Sequence, residues 1–209
     1  MSRHLLIWGV GGHAKVVLDT ALCCGEYDAI SFVDDRFDPL ATEFCGFPVL
    51  GRPDNLRRHR GESFLIAIGN NRSRRRCFDR ALEYGLVPAI LAHPAATVAR
   101  SAAIGRGTLV MPGVVVNSHA VVGDNCILNT GAIIEHDCRI GDDVHISPRA
   151  VLGGRAVVEC LAQVGIGAVL LPDAIVGVGA VVGGGAVVLK EAPAHCTVVG
   201  VPAKAPIFK

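Results

Sequence analysis

Aliphatic residues recur at a strict six-residue interval across nearly half of this chain. They open hexads at Val98, Ile104, Val110, Val116, Val122, Leu128, Ile134 and Ile140, then at Ile146, Leu152, Val158, Val164, Leu170, Val176, Val182 and Val188, sixteen hexads without an insertion. The fifth hexad position is nearly always small: Ala102, Thr108, Val114, Ala120, Cys126, Ala132, Cys138 and Val144, then alanines through to Ala192. An interval of six fits neither the 3.6-residue period of an α-helix nor the alternation of a simple strand. It fits a solenoid of short flat strands, in which each aliphatic residue stacks on its counterpart in the next coil and the small residue lets the chain turn a corner. Sixteen filled slots in succession are far beyond chance, even at 51% hydrophobic content. The spacing specifies a triangular or related prism and is silent on its hand.

At 209 residues the chain suits one large domain or two small ones. A formal net charge of +1 gives no basis for a nucleic-acid groove or a basic membrane surface. The apolar run at residues 5–10 is too short to span a membrane and lacks the layout of a signal peptide, so a cytoplasmic protein is expected. The eight cysteines form no C-x-x-C pair, and Cys126 and Cys138 occupy small corner slots, so buried reduced thiols are expected.

A different texture precedes the repeat, which divides the chain into an α/β domain over residues 1–95 and a solenoid with a C-terminal tail over residues 96–209. Leu5-Leu6-Ile7-Trp8 reads as a buried strand, followed by a glycine turn and a helix that ends near Gly25. Ala29-Ile30-Ser31-Phe32-Val33 delivers Asp34-Asp35 at its carboxyl end. Residues 64–68 form another strand, followed by Gly69-Asn70-Asn71 and a helix carrying Arg72, Arg74, Arg75 and Arg76; residues 87–91 form the last. Alternation of strands and helices implies a small Rossmann-like parallel sheet with ligands at the strands' carboxyl ends. Gly9-x-Gly11-x-x-Ala14, with the acidic pair about twenty residues on, satisfies the dinucleotide fingerprint, although this domain has room for only half the usual sheet. Bare amides at Gly11 and Gly12 would attract phosphate oxygens, and a carboxylate on the next strand would bond a ribose or base. A nucleotide-diphosphate site is therefore expected; a loop that only packs the helix, or a true nicotinamide site, are the alternatives.

Three segments in order narrow the reading: Gly9-Val10-Gly11-Gly12-His13-Ala14-Lys15-Val16-Val17, Ala67-Ile68-Gly69-Asn70-Asn71, and Leu128-Asn129-Thr130-Gly131-Ala132-Ile133-Ile134-Glu135-His136-Asp137-Cys138. With Gly200-Val201-Pro202-Ala203-Lys204 near the end, the chain resembles the hexapeptide-repeat sugar O-/N-acetyltransferases related to sialic acid O-acetyltransferase. It is similar in particular to those that acetylate the 4-amino group of a nucleotide-linked 4-amino-4,6-dideoxysugar. The resemblance implies a left-handed parallel β-helix with three hexads per coil, acetyl-CoA along that helix, and the sugar nucleotide on the N-terminal domain. It also implies a homotrimer with sites between neighbouring subunits. Carried over by position, it makes His136 the catalytic base with Asp137 beside it, and Asn129 and Glu135 their active-site neighbours. His145, Gly154, Ile166 and Gly184 fall on acetyl-CoA positions; His13, Asp34, Asp35 and Asn70 fall on nucleotide positions with Gly11 and Gly12.

His136 is the third residue of its hexad, outward from the inward Ile134, in an otherwise apolar stretch. An imidazole can accept the proton an amine loses on acylation near neutral pH, and Asp137 could fix its tautomer. Adjacent strand residues point to opposite faces, so that contact requires a local bend or a partner subunit. Zinc held by His119, His136 and His145 is the competing use of these side chains. Their separations do not match an 18-residue coil, and no metal is expected. His4, His59, His93 and His195 read as surface or linker residues; the Arg72–Arg76 cluster reads as a solvated helix face or a phosphate-steering one. The function expected is acetyl-CoA-dependent N-acetylation of a nucleotide-linked amino sugar. The alternatives are O-acetylation of a sialic-acid-like sugar, nicotinamide-dependent oxidoreduction, and a non-catalytic nucleotide-binding β-helix.

Overall fold

The computed structural model describes residues 3–204 apart from residues 37 and 41; the extremities of the two expected domains, residues 1–2 and 205–209, lie outside the described residues. The chain opens with β1 (His4–Trp8), α1 (Gly12–Cys24) and β2 (Ala29–Val33), followed by a short antiparallel hairpin, β3 (Glu43–Phe44) and β4 (Phe47–Pro48). A 3₁₀ turn at Pro53–His59 leads to β5 (Ser63–Ile66), α2 (Asn71–Glu83) and β6 (Val87–Pro88). The parallel sheet has the order β2-β1-β5-β6. The chain leaves β1 first to one side and later to the other, so a crevice opens at the carboxyl ends of β1 and β5, the topological switch point where ligands of α/β sheets bind.

From Leu91 onward, two-residue strands stack in three parallel sheets, the three faces of a prism. Each residue pairs with one eighteen positions ahead, as Val110 with Leu128 and Ile134 with Leu152, so three hexads make one coil. The inward residues are fully buried from Val110 to Val182, and so are the small corner residues from Ala120 to Ala186. Removing a Val, Ile or Leu side chain from water is worth about 1.5–3 kcal/mol. The axial column is therefore the main source of cohesion. The corners turn at the fourth hexad position, where the backbone takes positive φ in every hexad from Gly107 to Gly185, including His119 (61°), Asn125 (55°), Asp137 (59°), Arg155 (62°) and Leu161 (63°).

Three details depart from the sequence reading. The expected strand at residues 87–91 is split: Val87–Pro88 pairs with β5, while Leu91–Ala92 is the first rung of the solenoid, ahead of Val98. The last expected hexad is two residues short, because Ile175 pairs with Glu191 and Val176 with Ala192, an offset of sixteen. Ala192 is consequently an inward strand residue and not a corner. Beyond it the chain folds back: Val199 and Lys204 form an antiparallel bridge, and Val187 N–H donates to Gly200 O while Ala203 N–H donates to Val187 O, so the hairpin covers the end of a face. All eight cysteines are free, with Cys126 and Cys138 buried but Cys23, Cys45 and Cys160 exposed, contrary to uniformly buried thiols. Among the described residues no helix is long and apolar enough to cross a membrane.

The two parts of the chain are joined by one buried cation. Arg74, only 1% exposed, donates to Asn125 O (2.8 Å), Asp143 O (2.7 Å) and Val144 O (3.3 Å) on the solenoid. It also donates to Ile68 O and Gly69 O and to Asn71 Oδ1 on its own side. Asn71 extends the seam by donating to Leu161 O and Ala162 O. Burial pulls the Arg74 guanidinium down to about 10, still protonated at neutral pH. The arginine cluster is thus not one surface. Arg74 is an internal clamp, whereas Arg75 reaches Asp79 and Asp143 and Arg72 is exposed. Arg74→Met should lower stability by about 3 kcal/mol or more, because it strands several buried carbonyls at once. Arg72→Ala should change it by less than about 0.5 kcal/mol. Chemical denaturation of both variants checks the contrast.

Candidate active site

The crevice at the switch point holds a cavity of about 810 Å³ lined by residues from the carboxyl ends of β1, β2 and β5, the first turn of α1 and one face of α2. Gly9 is required by its backbone: φ is +122°, and a Cβ would approach Ala67 O at 3.0 Å. At Gly11 and Gly12 a Cβ would meet nothing within 4 Å, so what these residues present to the cavity is bare amide. Gly11 caps α1 with no side-chain partner, which leaves the helix's first N–H groups facing the cavity. Arg36, Arg76 and Arg80 line the same space. Exposed amides and three guanidiniums suit a diphosphate.

The acidic pair is already engaged. Asp34 accepts Val10 N–H (3.0 Å) and Arg36 N–H (2.8 Å), which ties the glycine loop to the end of β2. Asp35 accepts the Trp8 indole N–H (2.9 Å) and faces Arg80 at 3.5 Å. Asn70 caps α2 by accepting Ser73 N–H (3.0 Å). The sequence reading overlooked Trp8, Arg36, Ser73, Cys77 and Arg80, which also line the cavity; of the arginine cluster offered as phosphate-steering, Arg76 alone lines it. Ser73, Arg76, Cys77 and Arg80 lie at helical spacing on one face of α2, which the arginine run at 72–76 obscures.

Two half-buried imidazoles lie near one another, His13 in the cavity lining and His145 on the solenoid. His13 Nε2 is buried without a hydrogen-bond partner, and burial, then the Arg74 charge, lowers the ring to about 4. His145 accepts from Asn129 Nδ2 at its Nε2 (3.1 Å). It too is lowered to about 4, by burial first and then by Arg74 and His13. Asn129 also accepts Thr130 N–H (2.9 Å).

His136 lies elsewhere. It occupies the prism edge between the face carrying Ile133–Ile134 and the face carrying Arg139–Ile140. The N-terminal domain, by contrast, clamps the edge that carries Asn125 and Asp143. His136 Nδ1 is 2.8 Å from Asp137 Oδ2. The bend this contact needs is the corner itself: at φ 59° the Asp137 side chain swings back over its neighbour. The hydrogen bond from His136 holds the Asp137 carboxyl below its ordinary value. With Nδ1–H donated to that carboxylate, Nε2 keeps its lone pair. Directly one coil on, Gly154 provides the floor, since a Cβ there would meet His136 Nε2 at 2.6 Å and Cε1 at 2.7 Å. Glu135 accepts from Asn117 Nδ2 (3.0 Å) on the preceding coil.

Within one chain the expected site residues therefore form separate groups. His136, Asp137, Glu135 and Gly154 share one edge. Asn129 precedes the next corner, between the faces carrying Ile127–Leu128 and Ile133–Ile134, and on that same edge Ile166 stacks on Gly184. Between the two edges runs a face whose outward residues are Val115, Ile133, Val151, Val169 and Val187. His119, His136 and His145 do not converge, His145 being on a different face. Among the described residues the cluster with metal-ligand spacing is instead His4, His59 and Glu62.

Residues 4–81 match the PglD N-terminal domain family, and residues 101–136 and 119–154 match the bacterial transferase hexapeptide family of six repeats. Over 112 residues the chain is 38% identical to UDP-N-acetylbacillosamine N-acetyltransferase of Bacillus subtilis, an alignment spanning 52% of this chain and about half (51%) of that relative. The acetyltransferase domain of PglB from Neisseria gonorrhoeae superposes with a TM-score of 0.91 at 39% identity, covering 98% of this chain and 100% of that one. The same domain in complex with acetyl coenzyme A superposes at 0.93, covering 99% and 100% at 39% identity. PerB from Caulobacter crescentus, in complex with CoA and GDP-perosamine, superposes at 0.90 with 36% identity and 97% of both chains covered.

Gly154→Ala should lower turnover by roughly 10-fold or more with the fold preserved, because an added methyl displaces the His136 ring. Steady-state rates with circular dichroism check it. A second expectation concerns pH. His13 and His145 are held neutral in the fold but ionise near 6.5 when unfolded, so between about 6.5 and 4 the unfolded chain binds more protons. Their contribution is full above that window and falls as pH drops through it. His145→Asn should flatten the decline in melting temperature over this range relative to the parent.

Proposed function

The chain belongs to the hexapeptide-repeat sugar acetyltransferases, an acyltransferase family, and from that premise we propose that it transfers the acetyl group of acetyl-CoA to the 4-amino group of a nucleotide-linked 4-amino-4,6-dideoxysugar. Membership sets aside the nicotinamide reading of the glycine loop. The observation that carries the reading is His136, its Nδ1 on Asp137 and its Nε2 free above Gly154. The acceptor amine attacks the thioester carbonyl carbon, forming the N–C bond while the carbonyl pair moves to oxygen. Collapse of the tetrahedral intermediate expels the CoA thiolate. His136 Nε2 takes the proton the nitrogen loses and can return it to the departing sulfur. Asp137, ionised across the working range, favours the imidazolium that forms.

In this reading the cavity at the switch point holds the nucleotide diphosphate on the Gly11 and Gly12 amides with Arg36, Arg76 and Arg80, and the unpartnered His13 Nε2 meets the substrate. The working unit is a homotrimer in the cytoplasm. Its support is the separation of the groups: the base sits on one edge of the prism and the nucleotide cavity beyond another, so a second copy brings them together. Gly154 on one edge and Ile166 with Gly184 on the next would then flank acetyl-CoA between neighbouring solenoids, and the outward valine row supplies apolar contact area.

His136→Ala should reduce turnover by roughly 10²–10⁴-fold with nucleotide binding retained. Gly12→Glu should abolish nucleotide binding with His136 untouched. Co-expressed in equal amounts, the two inactive chains should regain about a quarter of the parental activity, since random assembly pairs an intact base with an intact cavity at about one interface in four. No recovery in mixed assemblies would place the site within a single chain and overturn the shared arrangement.

A further inference from the structure

We propose that His4, His59 and Glu62 form a zinc-binding site at the amino-terminal edge of the N-terminal sheet, opposite the nucleotide cavity. The three residues come from separate stretches: the start of β1, the close of the 3₁₀ turn, and the residue before β5. Glu62 Oε2 lies 2.6 Å from His4 Nδ1 and 3.1 Å from His59 Nδ1, and the three donor atoms all fall within 4.8 Å of one another. Zinc bonds of about 2.0–2.1 Å in tetrahedral geometry place donors roughly 3.3 Å apart, so small side-chain rotations accommodate the ion. Two imidazoles and one carboxylate, with a fourth position for water, are a donor set suited to a borderline divalent cation.

A second observation points the same way. His4 Nε2 is 3.0 Å from the hydroxyl of Ser31, itself buried on β2. Metal-bound histidines characteristically give their second ring N–H to an oxygen, which fixes the tautomer and leaves the other nitrogen's lone pair for the ion. The side chains are 20%, 25% and 34% exposed, sheltered yet reachable from solvent. The expectation of no metal rested on His119, His136 and His145; the histidines that converge are two that read as surface or linker residues. Zinc here would be far from the acetyl transfer and would tie β1, the 3₁₀ turn and β5 together, so its fate is separable from that of the proposed reaction.

The full chain, stripped with chelator, is titrated with zinc by calorimetry and with cobalt by visible absorption. One zinc per chain is expected, with His59→Ala and Glu62→Gln each losing it and Ser31→Ala weakening it about 10-fold. Cobalt should give visible ligand-field bands without a thiolate charge-transfer band, which separates this site from the exposed cysteines. Zinc should raise the melting temperature of the parent and leave that of Glu62→Gln unchanged. Absence of binding overturns the proposal, as do binding retained in both ligand variants and a thiolate signature. A trio that merely shares hydrogen bonds would give the first of these results.

Discussion

Everything in this molecule hangs on the eighteen-residue register of the solenoid. Parallel pairing of each residue with its counterpart one coil away builds the axial aliphatic column, and the same spacing stacks unlike side chains along the outer edges. The column tolerates little, because an outward slip by one residue would expose every buried aliphatic at once. The edges tolerate much. At the third position of successive coils the same edge carries an imidazole at 136 and a bare backbone at 154. Varied side chains gather at the edges because they are free of the column's packing demands there.

The corner conformation links the two. A non-glycine residue with positive φ is unusual, and Asn and Asp adopt it more readily than most. In this chain it recurs at the fourth position of every hexad from Gly107 to Gly185, and at Asp137 it turns a carboxylate toward the preceding imidazole. A feature whose first role is to bend the chain thus also sets a carboxylate against an imidazole. The second constraint is the buried Arg74, which sets the N-terminal domain against one edge and leaves His136 on another.

The solenoid is legible in the sequence because its period is unlike that of any helix or alternating strand, and the glycine loop because its backbone demands glycine at position 9. Other features are hidden for physical reasons. The His136–Asp137 contact contradicts strand alternation, yet a signal exists: Gly107, Gly113, Asn125, Gly131, Asp137, Asp143 and Gly167 share one hexad slot, a composition that marks left-handed backbone. Arg74 is invisible among arginines on a helix, since burial of a cation depends on carbonyls some 50 to 70 residues away. Ala192 fits a corner or an inward slot equally well, so the shortened last coil leaves no trace in residue type. Asp34 and Asn70 illustrate a different limit, for the sequence marks them as polar groups near a ligand without revealing that the backbone already occupies their oxygens.

The hairpin at residues 199–204 has a consequence for the molecule's length. A solenoid presents at each end a ring of unpaired backbone groups, the template on which an identical chain could continue the stack indefinitely. Here Gly200 and Ala203 occupy the hydrogen-bonding positions of Val187, and the bridge between Val199 and Lys204 runs antiparallel, a direction no further parallel coil can extend. At the other end α1 packs against the first rung, with Cys24 Sγ reaching Ala92 O at 3.1 Å. One face of the stack is thereby covered at each end, that of Leu91–Ala92 at its start and that of Val187–Val188 at its close, which leaves the sides of the rod as its longest open surface.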